Sequence, residues 1–395
     1  MRQFVAAVLA ARKCAPYICG NDRGIRHRRN GFWAITMLSR RQALTAAASV
    51  VAGLAGGALA PRPAAASLKS AFAPKRIPYG ACVSFEPLQS EIDYRDALQT
   101  YCQQLTPEAG LFWGWLRPTA AQFRFDYADA VLAFAEANNM TMVGHTLVWY
   151  GAMPDWTKNI EGSADAERTM TEHIEKVVGR YRGKIKTWHV VNEPIDEANG
   201  DTPGLRPNVW LSNLGDRYMD LAFRIAHRVD PAAKLFLNEY DLECLDGKSP
   251  KKREAFRRLI HDLLDRGVPL HGIGLQGHIR GQYAIDRDGL YDFVAELRSL
   301  GLAVHVTELD VIDKELPGPI AVRDAIVAAR AHDFLDAIFA AVPPESIATW
   351  GITDRYTWVP TWNKRGDGLR NRPLPLDANY QRKPLWDVIE YYCNK

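Results

Sequence analysis

From about Pro78 onward the chain switches repeatedly between two hydrophobic periods. Short strand-like runs fall at residues 79–85, 102–106, 141–149, 185–193, 234–240, 272–278, 303–309 and 346–353. Between most of them lie amphipathic stretches at 126–139, 165–182, 213–229, 251–267, 287–300 and 321–341. Their apolar residues recur at three- and four-residue steps, as in Tyr127, Val131, Phe134 and Ala135, which is the spacing of a helix with one buried face. Strands separated by helices need crossover connections and hence a parallel sheet. Eight such units over roughly 320 residues predict a closed (β/α)8 TIM barrel, an α/β fold in a single catalytic domain.

The polar residues decide between that barrel and an open doubly wound sheet. They fall at the C-terminal ends of many different strand runs, where a barrel builds its active site; an open sheet would gather them at one switch point. Tyr79-Gly80-Ala81-Cys82 lacks the glycine spacing of a phosphate-binding turn. Two of the polar ends carry glutamates, Glu193 in WHVVNEP and Glu308 in VHVTELD. Paired carboxyls facing one cleft are the minimum equipment for splitting a glycosidic bond. A carboxyl at a strand mouth, partly desolvated and close to a second one, has its pKa raised, so Glu193 suits a general acid. Asn192 beside it is placed to donate to a sugar hydroxyl. Glu308, if ionised, can attack the anomeric carbon. Asp310 lies two residues on, on the same strand face. His278 and Gln276 of GIGLQGH stand ready to support and orient it. His145 and Trp149 of HTLVW, Tyr240 after Asn238-Glu239, and Trp350 and Trp358 bracketing WGITDRYTW are candidate sugar contacts. Aromatic rings stack on sugar faces, although they serve core packing as readily.

The first segment reads as an export signal rather than as fold. Ser39-Arg40-Arg41-Gln42 precedes an alanine-rich apolar run, and Ala64-Ala65-Ala66 offers small residues of the kind a signal peptidase accepts. The run is too short and too weakly apolar for a comfortable membrane span. Twin arginines before such a run resemble a Tat signal; a disordered alanine-rich tail is the alternative. On this reading residues 1–36, upstream of Met37, are an extension from a misplaced start. Residues 37–66 are the signal and 67–395 the barrel, giving a periplasmic or secreted protein free of the membrane once the signal is removed. A net charge of +3 is too small to argue for nucleic acid. Cys82, Cys102, Cys244 and Cys393 allow a disulfide in that compartment or serve as buried thiols, and their spacing matches no zinc site.

Taken together, HTLVW, WHVVNEP, GIGLQGH, VTELD and WGITDRYTW resemble, in that order, the motif set of glycoside hydrolase family 10, whose main members are endo-β-1,4-xylanases. The resemblance implies a barrel with the acid/base on the fourth strand and the nucleophile on the seventh, hence Glu193 and Glu308. It implies retention of anomeric configuration, no metal and no cofactor, and xylan or xylo-oligosaccharides as substrate; we expect a monomer. By the same resemblance His145, Trp149, Asn192, Gln276, His278, Trp350 and Trp358 match substrate-site positions. The chain also departs from the pattern. Ala109 and Phe112 stand where the family usually has Asn and Lys, Tyr150 where it has His, and Ala152 where it has Gln. His189 stands where WDVVNE has Asp, and Tyr150 and His189 read as a matched swap near Glu193. A cationic His189 would lower the pKa of Glu193, whereas a neutral one need not. The competing readings are a related glycosidase on another or decorated β-glycan, a carbohydrate-binding protein without turnover, and a metal-dependent hydrolase using His145, His278 and Glu308.

Overall fold

A computed structural model describes residues 77–196 and 204–395, so the extension and the export signal expected within residues 1–66 lie outside the described residues. Eight parallel strands close on themselves: β1 (Tyr79–Val83), β2 (Gln104–Pro107), β3 (Thr141–Trp149), β4 (Thr187–Asn192), β5 (Lys234–Glu239), β6 (Gly272–Leu275), β7 (Ala303–Ile312) and β8 (Ser346–Thr349). Pairing of β8 with both β7 and β1 completes the ring. Outside it lie α1 (Ile92–Tyr101), α2 (Asp126–Ala137), α3 (Gly162–Arg180), α4 (Tyr218–Val229), α5 (Ser249–Asp265), α6 (Arg287–Ser299), α7 (Ile320–Ala341) and α8 (Pro384–Cys393). The TIM barrel expected from the alternation is the fold.

Differences from the expected boundaries concentrate at the strand mouths. The run 272–278 breaks after Leu275, with Gly277 in the left-handed region, and resumes as a short pairing of His278–Arg280 against the end of β7. The expected helix 213–229 is interrupted at Gly215, and α4 begins at Tyr218. At Gly144 and Gly274 a neighbouring side chain lies directly against the backbone, where a Cβ would stand. A Cβ on Gly144 would fall 2.1 Å from the Trp188 ring, and one on Gly274 would fall 2.0 Å from Asn238 Oδ1. Gly274 therefore makes the space in which Asn238 reaches the site.

The core lies between the barrel and its helices, where outward-facing strand residues such as Trp188, Leu235 and Leu237 are buried. Cys82, Cys102, Cys244 and Cys393 are buried and form no disulfide among the described residues, the second of the two alternatives above. The segment after β8, which carries Trp358, is held by a buried ion pair. Lys383 Nζ lies 2.9 Å from Asp354 Oδ2 and donates to Arg372 O at 2.7 Å. Burial lifts Asp354 to about 6 even against the pull of Lys383. Replacing Lys383 by Met leaves that carboxyl buried without its cation. The expected loss is about 3–5 kcal/mol of unfolding free energy, read from denaturant midpoints; an unchanged midpoint would mean the pair holds nothing.

Candidate active site

All ten expected catalytic and sugar-contacting residues line one cleft of about 850 Å³ at the C-terminal mouth of the barrel. Local irregularities in the strands bring them there. Simple alternation would put Thr307 and Glu308 on opposite faces of β7. A register shift between Val306 and Leu309 lets both reach Asn238, whose Oδ1 accepts from Thr307 at 2.8 Å and whose Nδ2 donates to Glu308 Oε1 at 2.7 Å. Glu193 is turned inward by a left-handed backbone, φ +54°, which non-glycine residues adopt only when neighbours hold them. Here its N–H donates to Asn238 O at 2.9 Å and its carbonyl accepts from Arg206 Nε at 3.1 Å. Arg206 also donates to Ile195 O and to the Tyr240 hydroxyl, so it ties the chain just past Glu193 to the end of β5. Behind that strand end, Glu239 pairs with Lys252 at 2.9 Å and accepts from the Ile195 and Tyr240 amides.

An amide bridge links the two carboxyls. Gln276 Nε2 donates to Glu193 Oε1 (3.2 Å) and to Asn192 Oδ1 (3.1 Å), and Asn238 Nδ2 joins Asn192 Oδ1 (2.8 Å) to Glu308. Trp149 Nε1 donates to Glu193 Oε2 at 2.9 Å, and Asn192 Nδ2 reaches Glu193 Oε1 at 3.2 Å. On the other side, His278 stands between Glu308 Oε2 (3.2 Å) and Asp310 Oδ1 (3.0 Å), and Trp358 Nε1 donates to Asp310 Oδ2 at 2.7 Å. Trp358 thus fixes Asp310 as well as lining the cleft. Trp350 packs edge-on against His145, with ring centroids 5.1 Å apart.

The electrostatics of the two glutamates differ in sign. Burial raises the pKa of Glu193, the charge of Glu308 adds to this, and the bonds from Trp149 and Gln276 only partly offset it. Burial also pushes Glu308 upward, but His145 when it is protonated, together with the charge and bond of His278 and the bond from Asn238, outweighs it, so its pKa is lowered. His278 resists desolvation because Asp310 and Glu308 hold its proton, and its pKa rises well above the ordinary histidine range. Burial pushes His145 down, so near neutrality the cation beside Glu308 is His278. One carboxyl keeps a proton while its neighbour stays ionised, which is the division of labour that acid/base and nucleophile require.

His189 does not stand beside Glu193. It points into the barrel below the cleft, with Nδ1 2.8 Å from His145 Nδ1. Burial and the neighbouring His145 and His305 push its pKa well below the ordinary value, so it is neutral and adds no charge near Glu193. Tyr150 sits at the rim with the Arg206 guanidinium 4.4 Å from its ring centre. The Tyr150–His189 swap is therefore not a contact across the acid/base: one partner is on the rim and the other beneath His145. Phe112 fills its part of the wall by packing on Trp149, centroids 4.8 Å apart. Sequence reasoning missed Arg206, whose role depends on a loop fold, and Trp362, which is 77% exposed at the cleft edge. An aromatic four residues past Trp358 was the available signal.

The model of glycosyl hydrolase family 10 matches residues 67–391, most of the chain. The chain belongs to glycosyl hydrolase family 10. It is 34% identical over 310 residues to a β-1,4-xylanase of Dictyoglomus thermophilum, covering 75% of this chain and 84% of that one. It is 33% identical to endo-1,4-beta-xylanase B of Paenibacillus barcinonensis, covering 78% and 94%. The structure of xylanase 10B from Thermotoga petrophila in complex with xylobiose superposes with a TM-score of 0.72 at 30% identity, over 80% of this family 10 chain and 94% of that one.

Proposed function

We infer that this family 10 barrel is a retaining endo-1,4-β-xylanase that cuts internal bonds of xylan and xylo-oligosaccharides. The observation that carries the reading is the pair of carboxyls tuned in opposite directions on one amide bridge. In the first step Glu308 attacks the anomeric carbon while Glu193 gives its proton to the departing glycosidic oxygen. Asn238 and His278 hold Glu308 at the angle of attack and favour its charged form. In the second step Glu193, now a carboxylate, takes a proton from water, which displaces Glu308 and restores the original configuration. Retention calls for carboxyls about 5–5.5 Å apart, close enough for Glu308 to attack the sugar directly with no water between them. Trp149, which donates to Glu193, doubles as a ring for sugar stacking.

Xylan hydrolysis followed by proton NMR tests the reading directly. The first product signal is expected from β-anomers, with α-anomers appearing only by mutarotation; α first, or no reducing ends at all, would overturn it. The reading extends to export, on the strength of Ser39-Arg40-Arg41 before the alanine-rich run. Changing Arg40 and Arg41 together to Lys should retain the enzyme in the cytoplasm on fractionation, and unaltered export would remove that proposal.

A further inference from the structure

Two buried histidines touch beneath the nucleophile. His145 on β3 and His189 on β4 are opposite one another in the strand register, 1% and 2% exposed, and their Nδ1 atoms are 2.8 Å apart. A hydrogen bond between two ring nitrogens needs one proton and one lone pair, so the rings cannot both be Nδ1–H forms. The remaining nitrogens differ. His189 Nε2 is buried without any hydrogen-bond partner among the described residues, whereas His145 lines the cleft. A proton on His189 Nε2 would be a buried donor with no acceptor, the less tolerated kind of orphan. The proton therefore belongs on His189 Nδ1, pointing at the lone pair of His145 Nδ1. His145 then carries its own proton on Nε2.

We propose that His189 is a positioning residue that holds His145 as the neutral Nε2–H form, so that the cleft presents a hydrogen-bond donor to a substrate hydroxyl beside Glu308. This rests on the hydrolase reading only for the identity of that substrate. The groups around the pair agree with neutrality. His145 faces Glu308, whose Oε1 is 3.9 Å from Nδ1, and the charge of His278; the Phe112 and Trp350 rings close its sides. His189 faces His305 and the Phe236 ring. Among the described residues no carboxylate lies within hydrogen-bond reach of either Nδ1 to draw out a second proton. An Asp at position 189, as in the family pattern, would accept from His145 Nδ1 and favour an imidazolium there. His189 removes that acceptor and reverses the direction of the bond.

The test uses the full exported chain with nitrogen-15 histidine and reads ring nitrogens by NMR, where protonated and bare nitrogens resonate far apart. The expected result at neutral pH is His145 bare at Nδ1 and protonated at Nε2; a proton on His145 Nδ1 would overturn the proposal. His189→Asp should make His145 doubly protonated and move the acid limb of kcat/KM down by roughly one pH unit, because a cation then faces Glu308. His189→Asn, whose amide can donate to the same lone pair, should restore both the Nε2–H form and the parent profile. A His189→Asp profile that overlays the parent's, with His145 unaltered, counts against the proposal. The ring spectra need no substrate, so failure to hydrolyse xylan with the Nε2–H form present would fault the substrate reading and leave this one standing.

Discussion

Replacing Glu308 by Gly is expected to lower kcat on xylan by about a millionfold, the scale on which loss of a covalent nucleophile is felt. The side chain makes the only new bond to carbon in the first step, and Asn238 and His278 cannot substitute because they merely orient it. The variant also leaves a small space beside the anomeric carbon. Azide added with an aryl β-xylobioside should occupy that space and attack once from the same side. The product is then the α-glycosyl azide, formed with inversion. Recovery of the α-azide identifies Glu308 as the nucleophile; a β-azide would assign that role elsewhere.

Glu193→Ala should separate substrates by their leaving groups. Xylan, whose departing alkoxide needs a proton, should lose about 10²–10⁴-fold in kcat. A dinitrophenyl β-xylobioside leaves unaided, so its first step should persist and glycosyl-enzyme should accumulate as a burst. Azide then resolves that intermediate to the β-azide, the opposite anomer from the Glu308 variant. The pH profile follows from the signs of the shifts. Activity needs Glu308 ionised and Glu193 protonated. The acid limb falls below the ordinary carboxyl range, because Glu308 is lowered, and the alkaline limb falls above it, because burial raises Glu193. Removing Glu193 should abolish the alkaline limb for the dinitrophenyl substrate and leave the acid limb in place. An alkaline limb that survives in this variant would place the acid elsewhere.

Much of this site was legible before any geometry. The alternation of periods requires a parallel sheet with crossovers, and polar residues at many different strand ends are compatible with only one mouth. That is why ten residues scattered from His145 to Trp358 line one cleft. The supporting residues were read less well, for identifiable reasons. Alternation cannot foresee the shift between Val306 and Leu309 that sends Thr307 and Glu308 to the same amide. Nor does it show that Glu193 adopts φ +54° or that Arg206, from a later loop, grips its carbonyl. His189 is the clearest instance. The family resemblance suggested an influence on the acid/base, but His189 points below the cleft and meets His145 instead.

By itself the sequence determined the order of strands and helices, and it placed two glutamates, with their amide and aromatic company, at strand ends. Those properties are local: periodicity, chain length and residue chemistry dictate them. The family resemblance named which carboxyl keeps its proton, but the physical cause lies in the fold. Glu193, half-buried, and Glu308, buried, are the same residue type, and burial pushes both upward. What parts them is the neighbours that closure of the barrel brings in, Trp149 and Gln276 for one and the His278 cation and Asn238 for the other. A pKa is set within a few ångströms through space, a distance the chain spans only once it has folded.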